Sequence, residues 1–359
     1  MRDEMGRDDG LQSCLRMIAP GTSLREGLES VLKAKTGGLI VVGDSKEVMS
    51  LVDGGFHINS DFLPAYMYEL AKMDGAIILS RDCKKILYAN TQLIPDPSIP
   101  SSETGIRHRT AERVARQTGE LVISISQRRN IITIYKGYLK YVLKDISIIL
   151  SKANQALQTL TKYKSVLDGT LANLGSLEFD DIATVLDVAL AVQKIEIVNR
   201  IVTEVEQYIH ELGVEGKLVS MQLEELVAGL KEEEVLLIRD YLPKGEENNY
   251  KEIIRTLRNQ SSEDLLELPF VARILGLGNN INALDLPIST RGYRILSKIP
   301  RLPMNIIENL VSDFERLQRI LGASIEELDE VEGIGEVRAR IIKESLKRVY
   351  EQIQTERHI

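Results

Sequence analysis

The chain reads as three parts in series: a mixed α/β domain (a mixed sheet with flanking helices) over about 1–145, an all-α helical spine over about 146–286, and a module of short helices over about 287–359. Three observations predict this. Short runs rich in β-branched residues, bounded by Gly, Asn or charged breaks, alternate with helical patterns in the first part. From Ile146 onward, apolar residues recur at three- and four-residue steps, the signature of helices with an apolar stripe. After Pro287, Pro and Gly cut the chain into short helical pieces. A length of 359 residues exceeds one ordinary core, so two or three domains are expected.

In the first part, Leu24 to Ala34 reads as an amphipathic helix entered at Thr22 or Ser23 as its cap. Gly37-Gly38 then gives way to a buried strand, Leu39 to Val42. Further strands are expected at Ala76 to Leu79, Ile86 to Ala89, Leu121 to Ile125, Ile131 to Tyr135 and Tyr138 to Leu143. Helical patterns lie at Asp61 to Met73 and Thr110 to Thr118. In the second part, Ile146, Leu150, Ala153, Leu157, Leu160, Leu167, Leu171 and Leu174 mark one long helix. The same period returns over Ile182 to Leu212 and Leu218 to Tyr241, before a polar stretch, Pro243 to Asn249. This stripe is core, and no chemistry is assigned to it.

Composition narrows the function classes. A net charge of −8 argues against a globally basic nucleic-acid binder but leaves room for a local DNA-binding module. Two cysteines, Cys14 and Cys83, provide neither a disulfide framework nor a thiolate metal site. Met1 to Gly10 is charged, without the apolar core of a signal peptide, and no stretch offers about 18 uninterrupted apolar residues. No membrane association and a cytoplasmic location are therefore expected.

Two short stretches carry the chemistry. Asp74-Gly75-Ala76 sets a carboxylate at the mouth of an apolar strand, and a Gly there lets the backbone approach a ligand. A carboxylate in that place suits Mg²⁺ or Mn²⁺, which take oxygen ligands and nucleotide phosphates. Arg107-His108-Arg109, after Glu103-Thr104-Gly105, supplies two planar guanidinium forks and an imidazole donor. Thr110 is placed to open a helix whose N–H groups add an anion-binding end. Ser124, Ser126, Arg128 and Arg129 put further hydroxyl and guanidinium groups at a strand end, where ligands collect in open α/β sheets. Read singly, Asp-Gly is a common turn and Arg-His-Arg a common solvated basic surface. Together they make a metal-plus-cation phosphate site.

The order Lys72-Met73-Asp74-Gly75-Ala76, Leu87-Tyr88-Ala89-Asn90, Pro95-Asp96-Pro97, then Glu103-Thr104-Gly105 with Arg107 to Arg113, resembles the diadenylate cyclases. With the spine and the C-terminal module added, the whole chain is similar to the DNA integrity scanning diadenylate cyclases. That resemblance implies condensation of two ATP into cyclic di-AMP and two pyrophosphates, with Mg²⁺ or Mn²⁺. It implies that Asp74 binds the metal that activates a ribose 3′-hydroxyl, and that residues 107–110 hold phosphates. Gly75 and Leu93 match positions that meet the nucleotide through backbone, and Ser126 matches a phosphate-side hydroxyl. Two cyclase domains would face each other within an octamer, each bringing one ATP. One departure stands out: the family normally places Thr before the Arg-His-Arg, and here the residue is Ile106. Losing one oriented donor in such a site costs about 10²–10³ in rate, which implies a weakened cyclase or an ATP-binding sensor.

Val331-Glu332-Gly333-Ile334-Gly335, followed by Val337 to Ile342, looks like a helix-hairpin-helix. Gly333, Ile334 and Gly335 would present N–H groups to a DNA phosphate, with Arg338, Arg340 and Lys343 adding charge on the same side. Ile299 to Leu310 looks like a degenerate companion in which Pro replaces the glycines. Such contacts grip backbone rather than bases, predicting sequence-independent, salt-sensitive binding, with branched DNA the expected partner and a nucleoid location when bound. The competing class is a DNA-repair binding protein or nuclease. A nuclease needs several convergent carboxylates, and only Asp74 has a convincing setting.

Overall fold

The computed structural model describes residues 11–242 and 249–356. The charged start read at Met1 to Gly10 and nearly all of the polar stretch from Pro243 lie outside the described residues. The chain falls into two compact units, residues 1–154 with 206–220, and residues 155–205 with 221–359. The boundary expected near 145 falls close to the edge of the first unit. That expected at 286/287 coincides with no break in packing, and Thr184 bridges to Pro287 across it.

In the first unit, helix α1 (Ser23–Lys33) starts where a cap was expected, the Thr22 side chain accepting from Arg25 N at 3.2 Å. It leads into β1 (Gly38–Val42), a one-turn α2 (Lys46–Met49), the strands β2 (Val52–Asp53) and β3 (Phe56–Asp61), then α3 (Pro64–Leu70). Strands β4 (Ala76–Leu79) and β5 (Lys85–Leu93) follow, then α4 (Ile106–Thr118), β6 (Leu121–Ser126), β7 (Ile131–Lys136) and β8 (Leu139–Val142). The sheet order is β2-β5-β4-β1-β6-β7-β8, with β3 also paired to β5. Among the described strands only β1 and β4 run parallel.

Alternation along the central strands feeds two cores. Ile40, Val42, Ile77, Leu79, Ile123 and Ile125 join Leu24, Leu28 and Val31 of α1 and Met67 of α3 on one face. Leu39, Val41, Ala76, Ile78, Val122 and Tyr135 join Ala111, Val114 and Ala115 of α4 on the other. Each fully buried aliphatic side chain here contributes about 1.5–3 kcal/mol. Strands β2 and β3 escaped sequence reading because they are polar and largely exposed, and because their turn, Gly54-Gly55, takes positive φ at both residues.

Two long helices follow, α5 (Ile146–Phe179) and α6 (Val185–Leu212). The chain then returns to the first unit: Val214 N donates to Pro20 O at 3.2 Å, and Gly213, at φ +54, lies against Pro20. The periodic stretch from Leu218 to Tyr241 is two helices, α7 (Lys217–Leu226) and α8 (Leu230–Tyr241), because Gly229 turns left-handed between them at φ +75.

The second unit also holds α9 (Tyr250–Arg258), α10 (Leu268–Ile274), α11 (Tyr293–Ser297), α12 (Met304–Phe314), α13 (Leu317–Gly322), α14 (Ile325–Asp329) and α15 (Glu336–Glu356). A fully buried guanidinium, Arg294, explains why no seam opens at residue 286. It pairs with the buried Glu178 of α5 and reaches Glu233 at 3.4 Å, while Tyr241 Oη donates to Glu178 at 2.5 Å. The Asp240 carboxylate accepts the N–H groups of Gly292, Tyr293 and Arg294 at 2.6–3.0 Å, which caps α11 from α8.

Candidate active site

Strand register brings the two sequence motifs together. Ile40 pairs with Ile77 in parallel, so the start of β1 lies beside the start of β4, where Asp74 and Gly75 sit. Gly38 pairs with Ile125, which sets the end of β6 on the same edge, and Ala76 pairs with Thr91, which adds the end of β5. Helix α4 lies on one face with its N-terminus at this edge: the Arg107 guanidinium reaches Gly37, where a Cβ would meet its Nη1 at 2.5 Å. The parallel pair thus presents its amino ends to the site, while the carboxyl ends come from the antiparallel β5 and β6. This refines the expectation of a site at strand carboxyl ends.

Asp74 is exposed, one residue before Gly75. Packing by itself requires a glycine at position 75. A Cβ there would lie 2.3–2.6 Å from backbone atoms of Asn90 and Thr91, so the space a side chain would fill is taken by β5. Asn90, left-handed at φ +53 where the β4–β5 register shifts, accepts Gly75 N through Oδ1 at 3.2 Å. This Asn, quoted from sequence only as part of a motif, and Gly37 at φ +74, read only as a break before β1, shape the site through their backbone.

Helix α4 begins at Ile106, not at Thr110 or Ala111, so Arg107, His108 and Arg109 form its first turn and Thr110 its second. Gly105 is the N-cap, without a side-chain cap bond, and the first turn has no acidic residue. Arg109 N is bonded to Gly105 O at 2.8 Å, leaving the preceding N–H groups of the turn facing outward, as helix geometry requires. This is an open anion-binding end. Ile106 is 84% exposed, so its side chain leaves that end uncovered.

The Arg-His-Arg triplet is not one fork. Arg107 is half-buried over Gly37, and Arg109 folds back on its own loop, Nε to Glu103 O at 3.3 Å and Nη2 to Thr104 O at 3.4 Å. His108 is buried, with Nδ1 3.0 Å from Ser124 Oγ and its ring edge-on to Tyr135. Burial pushes its pKa down, with Arg129, Lys140 and Arg107 acting the same way against the opposing pull of Glu103. His108 thus packs the helix start on the sheet through Nδ1, while its Nε2 is buried without a hydrogen-bond partner among the described residues. Ser126 is half-buried, its Oγ accepting Arg129 N at 3.2 Å, and Arg128 and Arg129 stand exposed on the β6–β7 turn. Leu93 is buried, and its backbone pairs with Val52.

Metal ligation at this edge rests on one carboxylate. Among the described residues, no three His, Cys, Asp or Glu side chains converge as a metal cage. A single exposed carboxylate beside cationic donors fits Mg²⁺ or Mn²⁺ carried in on a triphosphate, since such ions keep waters and take only one or two protein carboxylates.

Comparison with known proteins places this architecture. A family model described as DisA bacterial checkpoint controller nucleotide-binding matches residues 25–138, and one described as the DisA bacterial checkpoint controller linker region matches residues 143–284. The DNA integrity scanning protein DisA of Carboxydothermus hydrogenoformans is 61% identical over 346 residues, 96% of this chain and 98% of that protein. The proteins of that name from Symbiobacterium thermophilum and Clostridium kluyveri are 60% and 58% identical, over 98% and 97% of this chain and 99% and 97% of theirs. The chain belongs to the DisA family. The DisA nucleotide-binding match contains the whole edge from Gly37 to Arg129. Among the described residues, no helix is long and apolar enough to cross a membrane.

Beyond the two DisA-family matches, the C-terminal hairpin is two helices, α14 and α15, joined through Gly333 at φ +83, where a Cβ would strike Ile306. Arg301, at φ +61, holds the place in Ile299-Pro300-Arg301-Leu302-Pro303 that Gly333 holds in Val331 to Gly335. A cleft of about 730 Å³ lies where these two turns meet, lined by residues that include Pro300, Arg301, Gly335 and Arg338. Gly335 is needed by no neighbour, since an added Cβ would meet only Asp329 at 3.9 Å. The expectation that three cations share one side is corrected. At about 100° per residue, Arg338 and Arg340 leave α15 on nearly opposite faces. Arg338 bonds Gly333 O, Arg340 pairs with Glu336 at 3.0 Å, and Lys343 turns inward to Ala323 O.

Proposed function

We propose that this protein is a diadenylate cyclase that condenses two ATP into cyclic di-AMP and two pyrophosphates. One observation carries the reading: register and helix placement set Asp74, the uncapped start of α4 and the Arg107 guanidinium on one sheet edge, in a DisA-family chain. The N–H groups of Ile106 to His108 and the Arg107 fork bind the triphosphate, with Ser126, Arg128 and Arg129 as further donors and Thr110 behind them. Leu93 and Gly75 hold the backbone against which the nucleoside lies. Asp74 would hold Mg²⁺ or Mn²⁺, which when bound would neutralise charge and lower the pKa of the attacking 3′-hydroxyl. These residues orient that hydroxyl in line with the α-phosphorus of a second ATP, and pyrophosphate leaves toward the arginines.

A single edge holds one nucleotide, so the reaction needs a second copy facing the first, and an octamer with paired cyclase domains is the proposed assembly. Turnover survives at Ile106 because the donor that matters there, the backbone N–H, remains while the side chain projects outward. The hairpin module binds DNA phosphate through Gly333 to Gly335 and Arg338, branched DNA being the proposed ligand and a lower cyclase rate the proposed consequence. The proposed location is the cytoplasm, on the nucleoid when DNA is bound. Incubation with ATP and Mn²⁺, followed by chromatography, tests the activity. Cyclic di-AMP is expected from the wild type and not from Asp74→Asn, and no product at any enzyme concentration overturns the reading. Ile106→Thr separates a weakened cyclase, whose rate it raises, from one unaffected by the substitution.

A further inference from the structure

Glu103 lies outside the residues that face the nucleotide, yet the loop before α4 is built on it. Its carboxylate is buried, and Oε1 accepts both Tyr135 Oη at 2.8 Å and Lys140 Nζ at 2.5 Å. Its N–H donates to Ser101 Oγ at 3.2 Å, and its carbonyl takes Arg109 Nε at 3.3 Å. Burial pushes the carboxyl pKa up, but the hydrogen bonds from Lys140 and Tyr135 and the Lys140 charge outweigh it, so the group stays ionised.

The partner strand is gripped twice. Tyr135 and Lys140 are direct neighbours across β7 and β8, so both point to the face that carries α4. Tyr141, the next residue, points to the opposite face, because side chains alternate along a strand. There its hydroxyl donates to Glu211 Oε2 at 2.8 Å, one residue before the end of α6. Strand β8 is an edge strand, bonded only to β7. It is thus held by Glu103 on one face and by the end of a long helix on the other.

We propose that Glu103 is a positioning residue for the phosphate-binding turn, and that β8, through Lys140 and Tyr141, ties that turn to the C-terminal end of α6. The inference rests on the nucleotide-site reading above. A displacement of α6 at Glu211 moves β8, and β8 carries the Lys140 ammonium that holds Glu103 and, through its carbonyl, Arg109. This is a built-in route by which the spine sets the affinity of the site.

The test uses the full-length protein and the variants Glu103→Gln, Lys140→Met, Lys140→Arg and Tyr141→Phe. Loss of one charge-assisted hydrogen bond corresponds to about tenfold in affinity. Glu103→Gln and Lys140→Met are each expected to raise KM for ATP about tenfold with kcat changed less than about threefold, and their double variant is expected to be no worse than either. Lys140→Arg restores the wild-type KM. A merely structural role would lower the folded fraction, and with it kcat, while leaving KM in place. Amide hydrogen exchange over residues 103–109 needs no turnover. It should quicken in Glu103→Gln, in Lys140→Met and, at a distance, in Tyr141→Phe. Unchanged KM and exchange in Lys140→Met, the partly exposed partner whose loss leaves the core intact, overturn the positioning role. Faster exchange in Tyr141→Phe confined to β8 and residues 206–212 overturns the tie to α6. Should the wild type make no cyclic di-AMP, the exchange results still decide this proposal separately from the cyclase reading.

Discussion

Gly75→Ala separates packing from ligand contact at the metal-side motif. The new Cβ would sit 2.3–2.6 Å from Asn90 C, Asn90 Cα and Thr91 N, against an optimum of about 3.5–4.0 Å between non-bonded carbons. All three are backbone atoms of a paired strand, so no rotamer change relieves the clash, and β5 must retreat by about 1 Å or more. Overpacking of this kind costs about 1–3 kcal/mol. The retreat also strains the Gly75 N to Asn90 Oδ1 bond at 3.2 Å and the Thr91 Oγ1 to Ala76 O bond at 3.3 Å, at about 1 kcal/mol each. The sum is about 3–5 kcal/mol. With a urea m-value of about 2 kcal/mol/M, the midpoint for the first unit should fall by about 2 M. Urea unfolding followed by circular dichroism reads this without nucleotide present. A midpoint shift below about 0.3 M, with ATP binding nonetheless lost, would refute the packing argument and give the space of the missing Cβ to the ligand.

Three further outcomes are expected. Arg294→Met leaves Glu178 buried and uncompensated and should cost about 3–5 kcal/mol, while Arg294→Met with Glu178→Leu should recover most of that loss in the same urea assay. Arg301→Gly removes a left-handed non-glycine and should stabilise the second unit by about 0.5–1 kcal/mol, the gain being limited by added unfolded-chain entropy. His108 is held neutral by burial, so between its lowered folded pKa and the ordinary value of 6.5 the unfolded chain binds the extra proton. Stability from this group is then full above 6.5 and lost as pH falls below it, so the drop in urea midpoint from pH 7 to 5.5 should be smaller in His108→Gln than in wild type.

The central strands and long helices were legible because their apolar periods are strong: Leu39 to Val42, Ala76 to Leu79 and the stripe from Ile146 survive almost to the residue. The two motifs at 74 and 107 were read together as one site, but the pairings that bring them to one edge were not legible. They are Ile40 with Ile77 and Gly38 with Ile125, which are long-range. Helix α4 starts four residues earlier than read, because Gly105 replaces the polar cap that signals a start and Ile106 to Arg109 look like a solvated loop. That the first helical turn aims His108 Nδ1 at Ser124 is likewise not legible in a sequence. The left-handed backbone at Asn90 and Arg301 was not legible, because positive φ at a non-glycine leaves no pattern in composition. The packing across the boundary expected at 286 was not legible, because the Arg294 and Asp240 contacts join residues far apart in the chain.

The most direct test of the nucleotide-condensing edge is the product ratio from ATP labelled at the α-phosphate, with pyrophosphate measured in the same reaction. Two pyrophosphates per cyclic di-AMP are expected from the wild type, and neither product from Asp74→Asn. Release of orthophosphate or AMP instead, at equal rates in both proteins, would contradict this expectation.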